Sequence, residues 1–158
     1  MAMLETFEDI VRRASQFTEE TLESASATHP FEERAIHEKL PPKVRKLFDD
    51  THYAEATFET YKFLDRKIAA FSGITETGYK LMMNALAESG PLRINELQTE
   101  SQKDEQRGYQ FILAGAMSAL RNPRGHEFDY FDQVETCLDH LSLASMLVRK
   151  LEEANYLF

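Results

Sequence analysis

Arg121-Asn122-Pro123-Arg124-Gly125-His126 carries the most concentrated chemistry in this 158-residue chain. Arginine holds a phosphate with a planar fork of donors, and histidine moves a proton near pH 7. Five positions apart at a helix end, the two suffice for metal-free cleavage of a phosphodiester. Each also has a structural reading. Arg121 could neutralise the carboxyl end of its helix, and His126 could be a capping or surface histidine. Spacing alone does not decide: with ten arginines and five histidines, Arg45 and His52 meet a similar pattern by chance. Context separates the two pairs. Only the first has an Asn directly after the Arg, a Pro-Gly turn and a glycine-bearing apolar helix before it.

That helix is expected over residues 102–122. On a 100° wheel, Tyr109, Ile112, Leu113, Ala116, Met117 and Leu120 share one face, which reads as the core stripe. Gly108, Gly115 and Ala119 line up beside it. Each interior glycine costs about 1 kcal/mol against alanine. Close approach of another helix would offset that, within the bundle or across a dimer interface. Pro123 should push Asn122 out of helical geometry and end the helix. Gly125 should take a positive φ and reverse the chain. His126 would then emerge near the start of a last helix over 128–154, with Phe131, Val134, Leu138, Leu141, Ala144, Ser145, Val148 and Leu151 near a seven-residue repeat. Two rigid elements would hold the pair in place.

The remaining chain reads as helices. Residues 3–27 carry Leu4, Phe7, Ile10, Val11, Ala14, Phe17 and Leu22 at helical spacing. Pro30 breaks that element, and 31–40 is a short charged segment. Pro41-Pro42 suits a turn into helices over 43–50 and 51–71, the second with Phe58, Tyr61, Phe63, Leu64 and Ile68 inward and Ser72-Gly73 at its end. A helix over 76–89 turns Tyr79, Leu81, Met82, Met83 and Leu86 inward, Gly90-Pro91 closes it, and 92–101 is a short loop or exposed turn. Nothing alternates as a strand. The fold class is all-α, a single-domain bundle of about five helices.

Net charge is -9, which disfavours generic nucleic-acid binding. The excess lies at the ends: residues 1–30 carry -4, 127–158 carry -5, and 31–126 balance. Local capture of one or two phosphates is therefore open. Cys137 is the only cysteine, on an apolar stripe where an inert core thiol is expected. The five histidines are scattered, so no metal and no cofactor is expected. The Lys43/Arg45/Lys46 cluster reads as a solvated helix face. No signal peptide or membrane span is read, which places the protein in the cytoplasm.

Gly108, Phe111, Gly115-Ala116, Arg121-Asn122-Pro123 and His126, followed by an acidic-apolar helix ending Leu141-Ser142-Leu143-Ala144-Ser145, resemble the HEPN superfamily and, within it, the small bacterial Ymh-type group. Gly78-Tyr79-Lys80-Leu81-Met82 and the helix from Phe58 to Gly73 fit that group too. The resemblance covers about residues 50–150. It implies an N-terminal helical segment, 1–50, packed on a HEPN-like helical domain, 51–158. It implies a homodimer formed through the motif face, RNA as substrate, and an antitoxin or defence-system partner. It implies catalytic Arg121 and His126, with Asn122 and Arg124 supporting phosphate binding. Many such proteins are metal-independent endoribonucleases. There the 2′-hydroxyl attacks phosphorus to give a 2′,3′-cyclic phosphate. One histidine cannot readily be both acid and base in one step, and a two-fold dimer would bring two copies to one cleft. The alternative is an inactive HEPN-type dimeric binding module. One departure is visible. Some HEPN toxins carry, two residues after the histidine, a tyrosine that a partner modifies. Phe128 stands there in this chain, and Tyr130 would face elsewhere on a helix.

Overall fold

The computed structural model describes residues 28–127 and 129–158, and every regular element among them is helical. The helix expected over 3–27 lies outside the described residues. The chain divides into units 1–33 and 34–158. In the first unit, Pro30–Glu33 forms a single turn, α1.

The second unit is an all-α bundle. Pro42–Asp49 (α2) starts on a proline, where no amide donor is required. Tyr53–Ser72 (α3) is the central helix, with Ala56, Thr60, Tyr61, Leu64, Asp65 and Ile68 buried at helical spacing. It ends at Gly73 with φ +69°, a left-handed cap that glycine adopts without a Cβ penalty. Gly78–Ala85 (α4) is shorter than the expected 76–89, and Tyr79 at its start is 49% exposed instead of inward. The loop that follows is also not an exposed turn. Leu92 and Ile94 are buried because the Gln106 amide accepts from the Ile94 N–H at 2.9 Å and donates to the Leu86 and Leu92 carbonyls at 2.8 and 2.9 Å.

Glu100–Ala116 (α5) opens on a capping box, in which Thr99 accepts from the Gln102 N–H. Its buried face is Gln106, Gln110, Leu113, Ala114 and Ala116. The expected stripe was therefore rotated, since Ile112 is 42% exposed and Tyr109 and Leu120 are only half-buried. Burying two glutamine amides is possible because carbonyls of α4 and of the loop after it receive their donors. The wheel, which counts apolar side chains, could not register that.

The helix does not end at Asn122. It runs through a π-helical turn, Met117–Arg121, into Asn122–His126 (α6), and Asn122 keeps helical angles of φ -64° and ψ -46°. Pro123 is the physical reason. Its ring would clash with the carbonyl four residues back, and it has no N–H to donate. The π turn widens the coil there. The Asn122 N–H reaches the Met117 carbonyl five residues back, and Pro123 falls in the first turn of α6.

Val134–Glu153 (α7) closes the bundle against α3, where the Tyr61 hydroxyl donates to the His140 carbonyl at 2.8 Å. It begins later than expected. Phe131 is 85% and Val134 36% exposed, so neither belongs to the core that Leu138, Leu141, Ala144, Ser145, Val148 and Leu151 build.

Candidate functional site

The π turn delivers Arg121 onto α3. Its Nη2 lies 4.0 Å from Asp65 Oδ2, its Nη1 donates to Asn122 Oδ1 at 3.4 Å, and its guanidinium carbon sits 5.9 Å from the Phe58 ring centre. The side chain is 25% exposed, and its buried Nε has no partner. Asp65 is almost fully buried, and its Oδ1 accepts from the Gly78 N–H at 2.6 Å. Gly78 takes φ +63°, the left-handed region that favours glycine. The turn before α4 thus holds one oxygen of Asp65 and leaves the other facing Arg121. Sequence reasoning missed Asp65. The available signal was a charged residue on the buried stripe of α3, a position that requires a partner.

Gly125 does not reverse the chain, because it lies inside α6 and has no positive φ. Its role is close approach: a Cβ there would stand 2.8 Å from Phe58 Cε2. Phe58 is therefore the shared neighbour of the motif, with Arg121 over its ring and Gly125 at its edge. His126 ends α6, eight residues before the final helix begins, and is exposed. It borders a cleft of about 300 Å³ that is also lined by Glu55 and Phe58 of α3, Arg124 and Gly125 of α6, and Glu127 and Tyr130. Tyr130 lies in a non-helical stretch and lines this cleft, where a helical reading turned it away. Phe128 lies outside the described residues.

Arg124 also lines the cleft, and its donors are taken up within the fold. Its side chain is 2% exposed. Nε and Nη2 donate to the two oxygens of Asp132 at 2.6 and 2.5 Å, and Nη1 donates to the Leu120 carbonyl at 2.8 Å. Nη2 also lies 3.3 Å from His140 Nδ1, and the guanidinium carbon stacks 4.7 Å from the Tyr130 ring centre. Burial, then the Arg124 charge, hold His140 below its ordinary value, which keeps the ring neutral and able to accept from Arg124. Arg124 ties the π turn, the 127–133 segment and α7 together.

Among the described residues, neither Gly108 nor Gly115 has a neighbour within 4 Å of where a Cβ would stand, so no described helix approaches them. Phe111 is 53% exposed beside them. Lys43 is exposed, as a solvated face requires, and pairs with Glu59 at 3.2 Å. Burial raises the Cys137 thiol to about 11, which leaves it an unreactive core residue. Among the described residues, no cluster of three or more His, Cys, Asp or Glu is placed to hold a metal ion, and no helix is long and apolar enough to cross a membrane.

Comparisons with curated proteins and with solved structures gave no match. A family model does match, beginning where the 34–158 unit begins and covering α2 to most of α7. Residues 34–151 match the family described as Protein of unknown function (Hypoth_ymh), and the chain belongs to that family.

Proposed function

We propose that the protein is a metal-independent endoribonuclease of the HEPN type, acting in the cytoplasm in phage defence or a toxin–antitoxin system. One observation carries the reading: a partly exposed arginine with an unpartnered Nε lies over the Phe58 ring, and an exposed histidine from the same helical rod lines the cleft that Phe58 also lines. Arg121 stabilises charge on the non-bridging oxygens as the 2′-hydroxyl attacks phosphorus. His126 transfers a proton at the reacting oxygens. Asn122, which accepts from Arg121, holds the guanidinium. Arg124 supports the pair by fixing the turn that carries them.

The proposed homodimer forms through the motif face. The exposed run of Gly108, Phe111, Ile112, Gly115 and Ala119 leads along α5 to the motif and is uncovered by the described residues. A second chain there would offset the cost of the two glycines. An antitoxin or defence-system protein is the proposed further partner.

A second reading has its own support. Asp65 already faces Arg121, and Glu55 and Glu127 line the cleft, which suits an inactive dimeric binding module. Incubation of a mixed single-stranded RNA in EDTA separates the two. The ribonuclease reading expects 2′,3′-cyclic phosphate ends from wild type and none from Arg121→Ala or His126→Ala. Intact RNA with wild-type protein would favour the binding module, and cleavage by both variants would remove the motif from the chemistry.

A further inference from the structure

The cleft holds a titratable group that the motif does not include. Glu55 sits in the first turn of α3, its side chain 60% exposed, and borders the same cavity as His126. The two come from different helices, α3 and α6. Transfer of an RNA phosphoryl group to its own 2′-hydroxyl is an in-line displacement, in which the attacking and leaving oxygens lie on opposite sides of phosphorus. Its proton acceptor and proton donor must therefore flank the phosphate. A cleft of about 300 Å³ admits one phosphodiester between two such groups.

We propose that Glu55 is the general base opposite His126, an inference that rests on the ribonuclease reading. The Glu55 carboxylate accepts the proton of the 2′-hydroxyl as its oxygen bonds to phosphorus. The bond from phosphorus to O5′ breaks, and protonated His126 donates its proton to O5′. The products are a 2′,3′-cyclic phosphate and a 5′-hydroxyl. Glu55 is left protonated and His126 neutral, and one proton passed through water restores both. Both proton-transfer roles then lie within one protomer, and a second copy is not required for the chemistry. Glu127 is the competing carboxylate, but it follows His126 directly in the chain, whereas Glu55 is held by a separate helix. The charged and titratable groups near Glu55 are His52, with Nδ1 at 3.8 Å, and, lining the same cleft, Arg124, His126, Glu127 and Tyr130.

The test is kcat and KM on a single-stranded RNA oligonucleotide in EDTA, across the acid-to-neutral range, for wild type, Glu55→Gln, Glu55→Asp, Glu127→Gln and His126→Ala. The expected wild-type profile is a bell, its acid limb set by a carboxylate. Glu55→Gln should lower kcat about 10²–10⁴-fold with KM little changed and remove the acid limb. Glu55→Asp should keep the limb at reduced rate. Unchanged melting temperature is expected for Glu55→Gln, since the side chain is exposed. Wild-type kcat and an intact bell in Glu55→Gln, beside a silent His126→Ala, would overturn the role of Glu55 and leave the ribonuclease reading standing. Loss of the acid limb in Glu127→Gln alone would do the same. Intact RNA with wild type at every pH would overturn both.

Discussion

Arg121 and Arg124 lie three residues apart on one helical rod and meet opposite environments. Arg124 is 2% exposed, with a two-pronged carboxylate partner, a backbone carbonyl and a histidine nitrogen at its donors. Arg121 is 25% exposed, its carboxylate stands 4.0 Å away, and its Nε bonds to nothing. A guanidinium has five donors in a fixed fork. In Arg124 the fold takes them up. In Arg121 the fold orients the group through Phe58 and Asp65 yet leaves donors open. The residue type is the same, but one builds the site and the other is presented by it.

Replacing Arg124 should break that contrast most severely. Arg124→Ala strands Asp132, which is 3% exposed, without its cation, a change that costs about 3–5 kcal/mol. Urea denaturation should show it as a fall of that size in the unfolding free energy, seen as a lower midpoint at unchanged m. Arg124→Lys should recover little, because a point charge cannot span both oxygens of Asp132. Stability within about 1 kcal/mol of wild type would mean that the clamp is not what fixes the motif.

Gly125→Ala should come next. A Cβ 2.8 Å from the Phe58 ring forces a shift costing about 1–3 kcal/mol, against a gain of about 1 kcal/mol in helix propensity. A net loss near 1 kcal/mol is expected, together with a larger fall in RNA cleavage, since Phe58 also lies under Arg121. Added stability with full activity would show that the ring yields freely.

Arg121→Ala sharpens the comparison from the other side. Loss of Arg121 leaves the buried Asp65 with the Gly78 N–H but no cation, so the cost should exceed that of a surface pair, about 1 kcal/mol, and stay below that of Arg124→Ala because the pair is longer and Arg121 is partly exposed. Cleavage should nevertheless disappear. A stability loss matching that of Arg124→Ala would make Arg121 a structural clamp as well.

The helical architecture was legible because apolar spacing and the Gly-Pro punctuation report directly on it. α3 and its glycine cap came through, as did the proline start of α2. The motif segment was less legible, for a specific reason. Proline and glycine each have two uses, and the sequence does not say which applies. Pro123 was read as a stop and instead sits in the first turn after a π turn, while Gly125 was read as a reversal and instead gives room to Phe58. Glu55, Asp65 and Phe58 lie far upstream and join the motif only through packing. The α5 face was misplaced because Gln106 and Gln110 are buried by hydrogen bonding that depends on the fold.

The smallest effect concerns His140, on the closed side of the comparison. Burial and, after it, the Arg124 charge lower its folded value, while Asp132 and Asp139 oppose them. Between that value and the ordinary one near 6.5, the unfolded chain binds a proton that the folded chain refuses. Stability contributed by the neutral ring is therefore complete above about pH 6.5 and falls as pH drops through the window. Protonation also removes the Nδ1 acceptor that lies 3.3 Å from Arg124. His140→Gln keeps an acceptor carbonyl and cannot titrate. Its unfolding midpoint should match wild type at neutral pH and exceed it at mildly acid pH. Parallel curves through the acid range would mean that the clamp absorbs the charge through Asp132, and that the closed side is less rigid than its hydrogen bonds suggest.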